Sequence, residues 1–193
     1  MKVCSVSYKL HRFPLSYRLT EEMLRARGLM VSYETIRRWS DKFGPAYAAR
    51  LRRKSAKPGD IWHLDGVHLR IQWQVYWLWR AVDQEGYVLD EILQTRRNAK
   101  VAQRLLRSLL HKQGAKPARI VTDKRSSYAT AKRRHVMPSV RHLTRKRLNN
   151  RAENAHLPLR KREKVMQKFR SSGGCQLFAS MLSAVRNLFA LPA

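Results

Sequence analysis

Asp65, Asp123 and Glu153 are carboxylates placed to do chemistry in a chain that is otherwise strongly basic. From Val121 to Ala193 there are 17 lysines and arginines against three acids, Asp123, Glu153 and Glu163. Asp65 lies in the alternating run Trp62-His63-Leu64-Asp65-Gly66-Val67, which reads as a strand with His63, Asp65 and Val67 on one face. An ionised Asp in mid-strand is costly unless that face is wet, paired or metal-bound. A salt bridge to Arg70 or Arg80 is the competing explanation. Asp123 ends the apolar run Ile120-Val121-Thr122, and ligand groups gather at the carboxyl ends of strands in sheets with parallel pairs. Its competing role is to cap a helix beginning near Ser127. Glu153 follows Asn149-Asn150-Arg151-Ala152, and on a helix it shares a face with His156, Leu157 and Arg160. Its competing role is a surface ion pair with Arg151 or Arg160. Asp60 and Asp83 have ordinary turn explanations, and Glu163 sits in a charge run that pairs with itself.

Carboxylates of this kind are hard oxygen ligands, and with no cysteine cluster and few histidines they point to Mg²⁺ or Mn²⁺ and away from zinc. Two such ions about 3.5–4 Å apart let one activate a water or a 3′-hydroxyl while the other stabilises the leaving oxygen of a phosphodiester. The net charge of +28 repels itself in the compact state, so its use is to meet a polyanion, with nucleic acid ahead of an anionic membrane surface. No apolar run reaches the ~18–20 residues that span a bilayer, and Met1–Ser16 lacks the apolar stretch of a secretory signal. Cys4 and Cys175 are far apart with no metal-binding partner, which fits a reducing cytoplasm.

The elements that must position these residues read as follows. Thr20 caps a first helix with Leu19, Met23 and Leu24 on its inner face, and Gly28 stops it. Ser32 caps a second helix, Tyr33 to Phe43, with Ile36, Trp39 and Phe43 inside and Arg37, Arg38 and Lys42 outside; Gly44-Pro45 ends it. This pattern fits a helix-turn-helix or an ordinary helical hairpin equally. The domain expectation is a 1–50 helix-turn-helix region, a basic linker over 51–59 and a core over 60–193. The core opens with β-rich runs Ile61–Ile71, Val75–Asp83 and Tyr87–Gln94, joined by turns short enough for antiparallel hairpins. A helix over Asn98–Gln113, closed by Gly114, and a strand at Arg119–Thr122 parallel to the first complete the order of a ribonuclease H-like α/β fold. Pro158 either kinks the Glu153 helix or begins a new one. Gln176–Leu191 is an amphipathic helix that packs on a core or dimerises.

Taken together, RGLMVSYETIRRW, WHLDGVHL, YWLWRAVDQEGYVLDEILQTRRNAKVAQRLL, IVTDKRSSYATAKR and LNNRAENAHLPLRKREKVMQKFRS resemble the bacterial DDE insertion-sequence transposases of the IS-six type, from about Phe13 to Phe189. That resemblance implies an N-terminal helix-turn-helix that recognises terminal inverted repeats and a mixed five-stranded, integrase-like core. It implies Asp65, Asp123 and Glu153 as the catalytic triad holding two Mg²⁺ ions, and Arg160 as the basic residue seven positions after the Glu. Arg37, Arg38, Lys42, Lys124 and Arg160 are then the DNA-contacting cations. The implied reaction is nicking at the element's ends and attack of the freed 3′-hydroxyl on target DNA by a homo-oligomer, without membrane or small-molecule cofactor, at the bacterial nucleoid. Gly66 stands where the family has Glu; next in a strand to Asp65, it should face away from the metals. The Asp123–Glu153 spacing is the family's shorter form. Both chain ends read as curtailed, so the competing expectation is a truncated, inactive DNA-binding protein or repressor; a general basic nucleic-acid binder is a third.

Overall fold

The computed structural model describes residues 9–13, 15–52, 60–122, 137–144 and 149–189. They fall into two compact units, one within Met1–Ser55 and Pro158–Phe189, the other within Ala56–Leu157.

The second unit is built on a five-stranded mixed sheet. Strands β1 (Ile61–Ile71), β2 (Gln74–Asp83) and β3 (Val88–Gln94) form an antiparallel meander. Helix α3 (Ala99–Gln113) then crosses to β4 (Arg119–Thr122), which pairs parallel to β1, and β5 (Arg141–Leu143) pairs parallel to β4. The resulting order, β3-β2-β1-β4-β5, is the ribonuclease H-like arrangement. Local signals set the bounds of α3. The Asn98 side chain accepts from Val101 N–H, and Gly114 leaves the helix at φ 66°, the left-handed cap that glycine adopts without a Cβ penalty. Val101, Leu105, Leu106 and Leu109 bury one helix face against Trp62, Leu64, Trp79 and Ala81 of the sheet. The opposite sheet face carries His63, Asp65 and Val67, in register with Val82, Arg80 and Leu78.

In the first unit, α1 (Tyr17–Arg25) and α2 (Tyr33–Arg52) flank a turn. Leu24 and Ile36 bury each other, supported by Tyr17, Leu29 and Val31. Gly28 sits at φ 74°, and the amide of Leu29 donates back to the Leu24 carbonyl, so the helix stops where expected. The cap of α1 is Ser16, which accepts from Leu19 N–H; Thr20 lies buried inside the helix, and Leu19 is exposed. Ser32 does accept from Thr35 N–H at the start of α2.

Helix α2 runs on past Phe43, where the sequence suggested it would end, through Gly44-Pro45 to Arg52. A proline inside a helix costs about 3 kcal/mol. The extra turns offset this by burying Ala48 and Leu51 against Met181, Ala184 and Val185 of α5 (Ser172–Asn187). Gly44 serves that contact: a Cβ there would lie 3.2 Å from Met181 Sδ, tighter than ordinary packing. Phe43 is more than a third exposed instead of facing inward. The amphipathic C-terminal helix thus finds its partner in α2. It begins at Ser172, capped by Ser171, earlier than its apolar stripe suggested. Residues 53–59, most of the expected linker, lie outside the described residues.

Candidate active site

Helix α4 (Asn150–Val165) carries Glu153 in its first turn and continues as one helix through Pro158. Three interactions hold its first half to the sheet. The buried Asn149 side chain donates to the Leu64 carbonyl at 3.0 Å, one residue before Asp65. Arg80, directly opposite Asp65 on β2, donates through Nη1 to the Ala155 carbonyl. His156, one turn beyond Glu153, brings Nε2 to 3.6 Å from Asp65 Oδ2, an ion-pair separation too long for a hydrogen bond. The Asp65 side chain is 16% exposed and Glu153 lies on the surface, so the first carboxylate is shielded and the second is open to solvent.

On the other side of Asp65, the described part of β4 pairs with β1 through Leu64↔Thr122. Thr122 is fully buried and its hydroxyl shares a 2.8 Å hydrogen bond with His142 Nε2 of β5, which pins the end of β4. Asp123, with Lys124, follows in the chain and lies outside the described residues. Among the described residues no group of three or more Asp, Glu, His or Cys is gathered to hold a metal ion. Asp65 and Glu153 themselves offer hard carboxylate oxygens, which suit Mg²⁺ or Mn²⁺.

Arg80 is the residue that sequence reading left as a mere alternative partner for Asp65. It is 2% exposed, and its Nε and Nη2 donate to one oxygen of Glu91, at 3.0 and 2.7 Å, from the facing position on β3. Asp65, Arg80 and Glu91 therefore stand in one row across three strands, and Arg80 couples that row to α4. Glu91 gave no sequence signal beyond being a charged residue opposite an Arg in a strand.

The neighbouring acids behave as ordinary structural groups. Asp83 accepts from the amides of Glu85 and Tyr87 in its turn, and Glu163 accepts from Arg160 at 3.0 Å. Arg162, in the same charge run, is buried and donates to the carbonyls of Leu10 and Leu15. Burial pulls its pKa down to about 10, still far above neutrality, so it donates as a guanidinium.

Gly66 pairs with Trp79 on the sheet face covered by α3, the opposite face to Asp65 and Arg80. A Cβ there would lie 3.7 Å from the Trp79 ring and 3.9 Å from Arg97 Nη2, ordinary contact distances. Gly66→Glu is therefore expected to fold, with stability unchanged or raised by up to about 1 kcal/mol, because a mid-strand glycine is removed and a carboxylate comes within reach of Arg97. Urea unfolding checks this; a loss of stability would show that position 66 has no room.

In the first unit Arg37, Arg38 and Lys42 lie on the exposed face of α2. Arg37 is held by both oxygens of Glu34, whereas Arg38 is 78% exposed with its Nε 3.8 Å from Glu34. The bond from Arg37 holds the Glu34 carboxyl below its usual range. Arg37 also lines a cavity of about 230 Å³ with Tyr17, Tyr33, Asp41, Lys168 and Phe178. Burial, aided by the Asp41 charge, pushes the Tyr17 phenol up to about 12, and burial also raises Asp41.

The family model for the DDE domain of IS240-type transposases matches residues 59–191. Two curated transposases of Staphylococcus aureus, those of IS257 in transposon Tn4003 and of the insertion sequence-like element IS431mec (strain Mu50), are each 32% identical over 173 residues, covering 87% of this chain and 76% of theirs. The chain belongs to the DDE transposases of the IS240/IS6 family. Among solved structures, this transposase is similar to a chain of the simian T-cell lymphotropic virus intasome in complex with a PP2A regulatory subunit, at 18% identity and TM-score 0.48 over 65% of this chain and 49% of that one. It is also similar to the HTLV-2 integrase catalytic core domain in complex with magnesium, at 18% identity and TM-score 0.39 over 58% and 86%. No helix among its described residues is long and apolar enough to cross a membrane.

Proposed function

We propose that this transposase binds the terminal inverted repeats of its insertion sequence, nicks the ends and joins the freed 3′-hydroxyls to target DNA. The observation that carries the reading is the Leu64↔Thr122 pairing, with the Glu153 helix tied to the same Leu64 carbonyl. The residues immediately before Asp65 and Asp123 are neighbours on adjacent parallel strands, and the third carboxylate begins the helix anchored there. Family membership supplies the reaction class, phosphoryl transfer at a DDE site.

In this reading Asp65, Asp123 and Glu153 hold two divalent ions, Mg²⁺ or Mn²⁺. When bound, the ions polarise the phosphoryl group and stabilise the attacking and leaving oxygens. The protein's own work is positional. Strand register sets Asp65 opposite Arg80, and the Asn149 and Arg80 bonds hold the start of α4 against the sheet. Arg37, Arg38, Lys42, Lys124 and Arg160 hold DNA phosphates and contribute little base specificity. The active species is an oligomer that pairs two ends in the bacterial cytoplasm.

The test uses duplexes taken from the DNA flanking its own reading frame. Binding with nicking in Mg²⁺ or Mn²⁺, absent in EDTA, is the expected result. Binding without nicking in any divalent metal would leave a DNA-binding repressor, and equal affinity for any duplex or RNA would leave a general polyanion binder. Within this reading Arg38→Ala is expected to weaken end binding and lower the salt slope by about one, since a phosphate contact is lost. Arg37→Ala should change the slope less, because Glu34 already engages that guanidinium. Affinities measured across a salt series separate the two.

A further inference from the structure

The turn between β1 and β2 holds the most exposed large apolar side chain described in the molecule. Trp73 is 96% exposed at the tip of a two-residue turn between the paired Ile71 and Gln74. The turn is not a relaxed one: Gln72 takes φ 54°, a left-handed conformation that a non-glycine residue adopts at a cost. Below the tip Ile71 and Leu69 are buried, so the indole is presented on a packed, hydrogen-bonded stem. Around it Arg70, Gln72 and Gln74 are exposed, and no acid lies between Asp65 and Asp83.

We propose that Trp73 is a base-stacking residue, contacting the face of a nucleobase unstacked from the DNA that this transposase holds; the proposal rests on the DNA reading above. Size favours a base over a protein partner. One tryptophan offers about 250 Å² at most, far below the ~800 Å² per side of a stable protein interface, but matched to the face of a single base. The surroundings favour DNA as well. Arg70 supplies a phosphate contact, Gln72 and Gln74 supply amides that can pair with base edges, and the chain's +28 charge selects a polyanion. Six residue steps along β1 lead from Asp65 to Ile71, about 20 Å at the usual rise. A duplex lying along β1 would then meet Trp73 roughly six base pairs from the phosphodiester at Asp65.

The experiment measures binding of the full chain to a mixed-sequence duplex longer than that span, with 2-aminopurine at successive positions, across a salt series. Trp73→Ala is expected to weaken binding about tenfold without changing the salt slope, since stacking carries no counterion release. It should also abolish a 2-aminopurine fluorescence change that Trp73→Phe retains. Arg70→Ala should do the converse, lowering the slope by about one. Wild-type affinity and fluorescence in Trp73→Ala would overturn the proposal while leaving the functional reading intact. Altered sedimentation of Trp73→Ala in the absence of DNA would overturn it in favour of a contact between copies. Failure of the wild type to bind any duplex would remove both.

Discussion

Asp65→Asn is expected to abolish strand transfer from pre-cleaved ends, by on the order of a thousandfold or more, with end binding nearly unchanged. The substitution keeps the side chain's shape and removes one charge, so the loss falls on the metal-assisted step, worth several kcal/mol at about 1.4 kcal/mol per factor of ten. Asp123→Asn and Glu153→Gln should lose as much, and any pair of these substitutions little more than one alone, because the three groups act as a unit. Binding and strand transfer measured on the same preparations check this with Mn²⁺ present. Full activity in Asp123→Asn would remove that residue from the site, and a parallel collapse of DNA binding would point to a folding defect instead.

The second large effect is structural and falls on Arg80. Arg80→Ala should destabilise the sheet unit by about 3–5 kcal/mol, lowering its melting temperature by roughly 12–20 °C. The carboxylate of Glu91 is almost fully buried, and the guanidinium that neutralises it is removed. The same change cuts the bond to the Ala155 carbonyl, loosening the helix that carries Glu153. The double variant Arg80→Ala/Glu91→Ala should cost clearly less than the sum of the two single changes, because the stranded charge is gone. Urea unfolding of the four proteins measures the coupling. Additive costs would mean that Arg80 acts through packing alone, and a loss below about 1 kcal/mol would remove its place as the link between sheet and helix.

These two predictions differ in how far sequence reading could reach them. Asp65 stood out in the sequence because a carboxylate in mid-strand is costly unless its face is wet, paired or metal-bound, and Glu153 because a motif surrounds it; their catalytic role is part of the proposal. Arg80 was only one of two nearby cations, since nothing local says that it lies opposite both Asp65 and Glu91; register decides that. Arg162 was not singled out in the sequence for the same reason. A charge run looks solvated from its own composition, and only the carbonyls of Leu10 and Leu15, about 150 positions away in the chain, make it a buried donor. The expected end of α2 at Gly44-Pro45 followed sound local rules. It failed because Ala48 and Leu51 gain more from Met181, Ala184 and Val185 than the proline costs.

By itself, the sequence determined what is local or periodic. The strand meander, the stops at Gly28 and Gly114 and the motifs that mark the family all rest on residues a few positions apart. The tertiary structure alone decided the pairings. It set Leu64 beside Thr122, Arg80 between two carboxylates and α4, and the C-terminal helix against α2. Periodicity states that a face is apolar or a charge is present, but the partner is chosen by burial and register summed over the whole chain, which no short window contains.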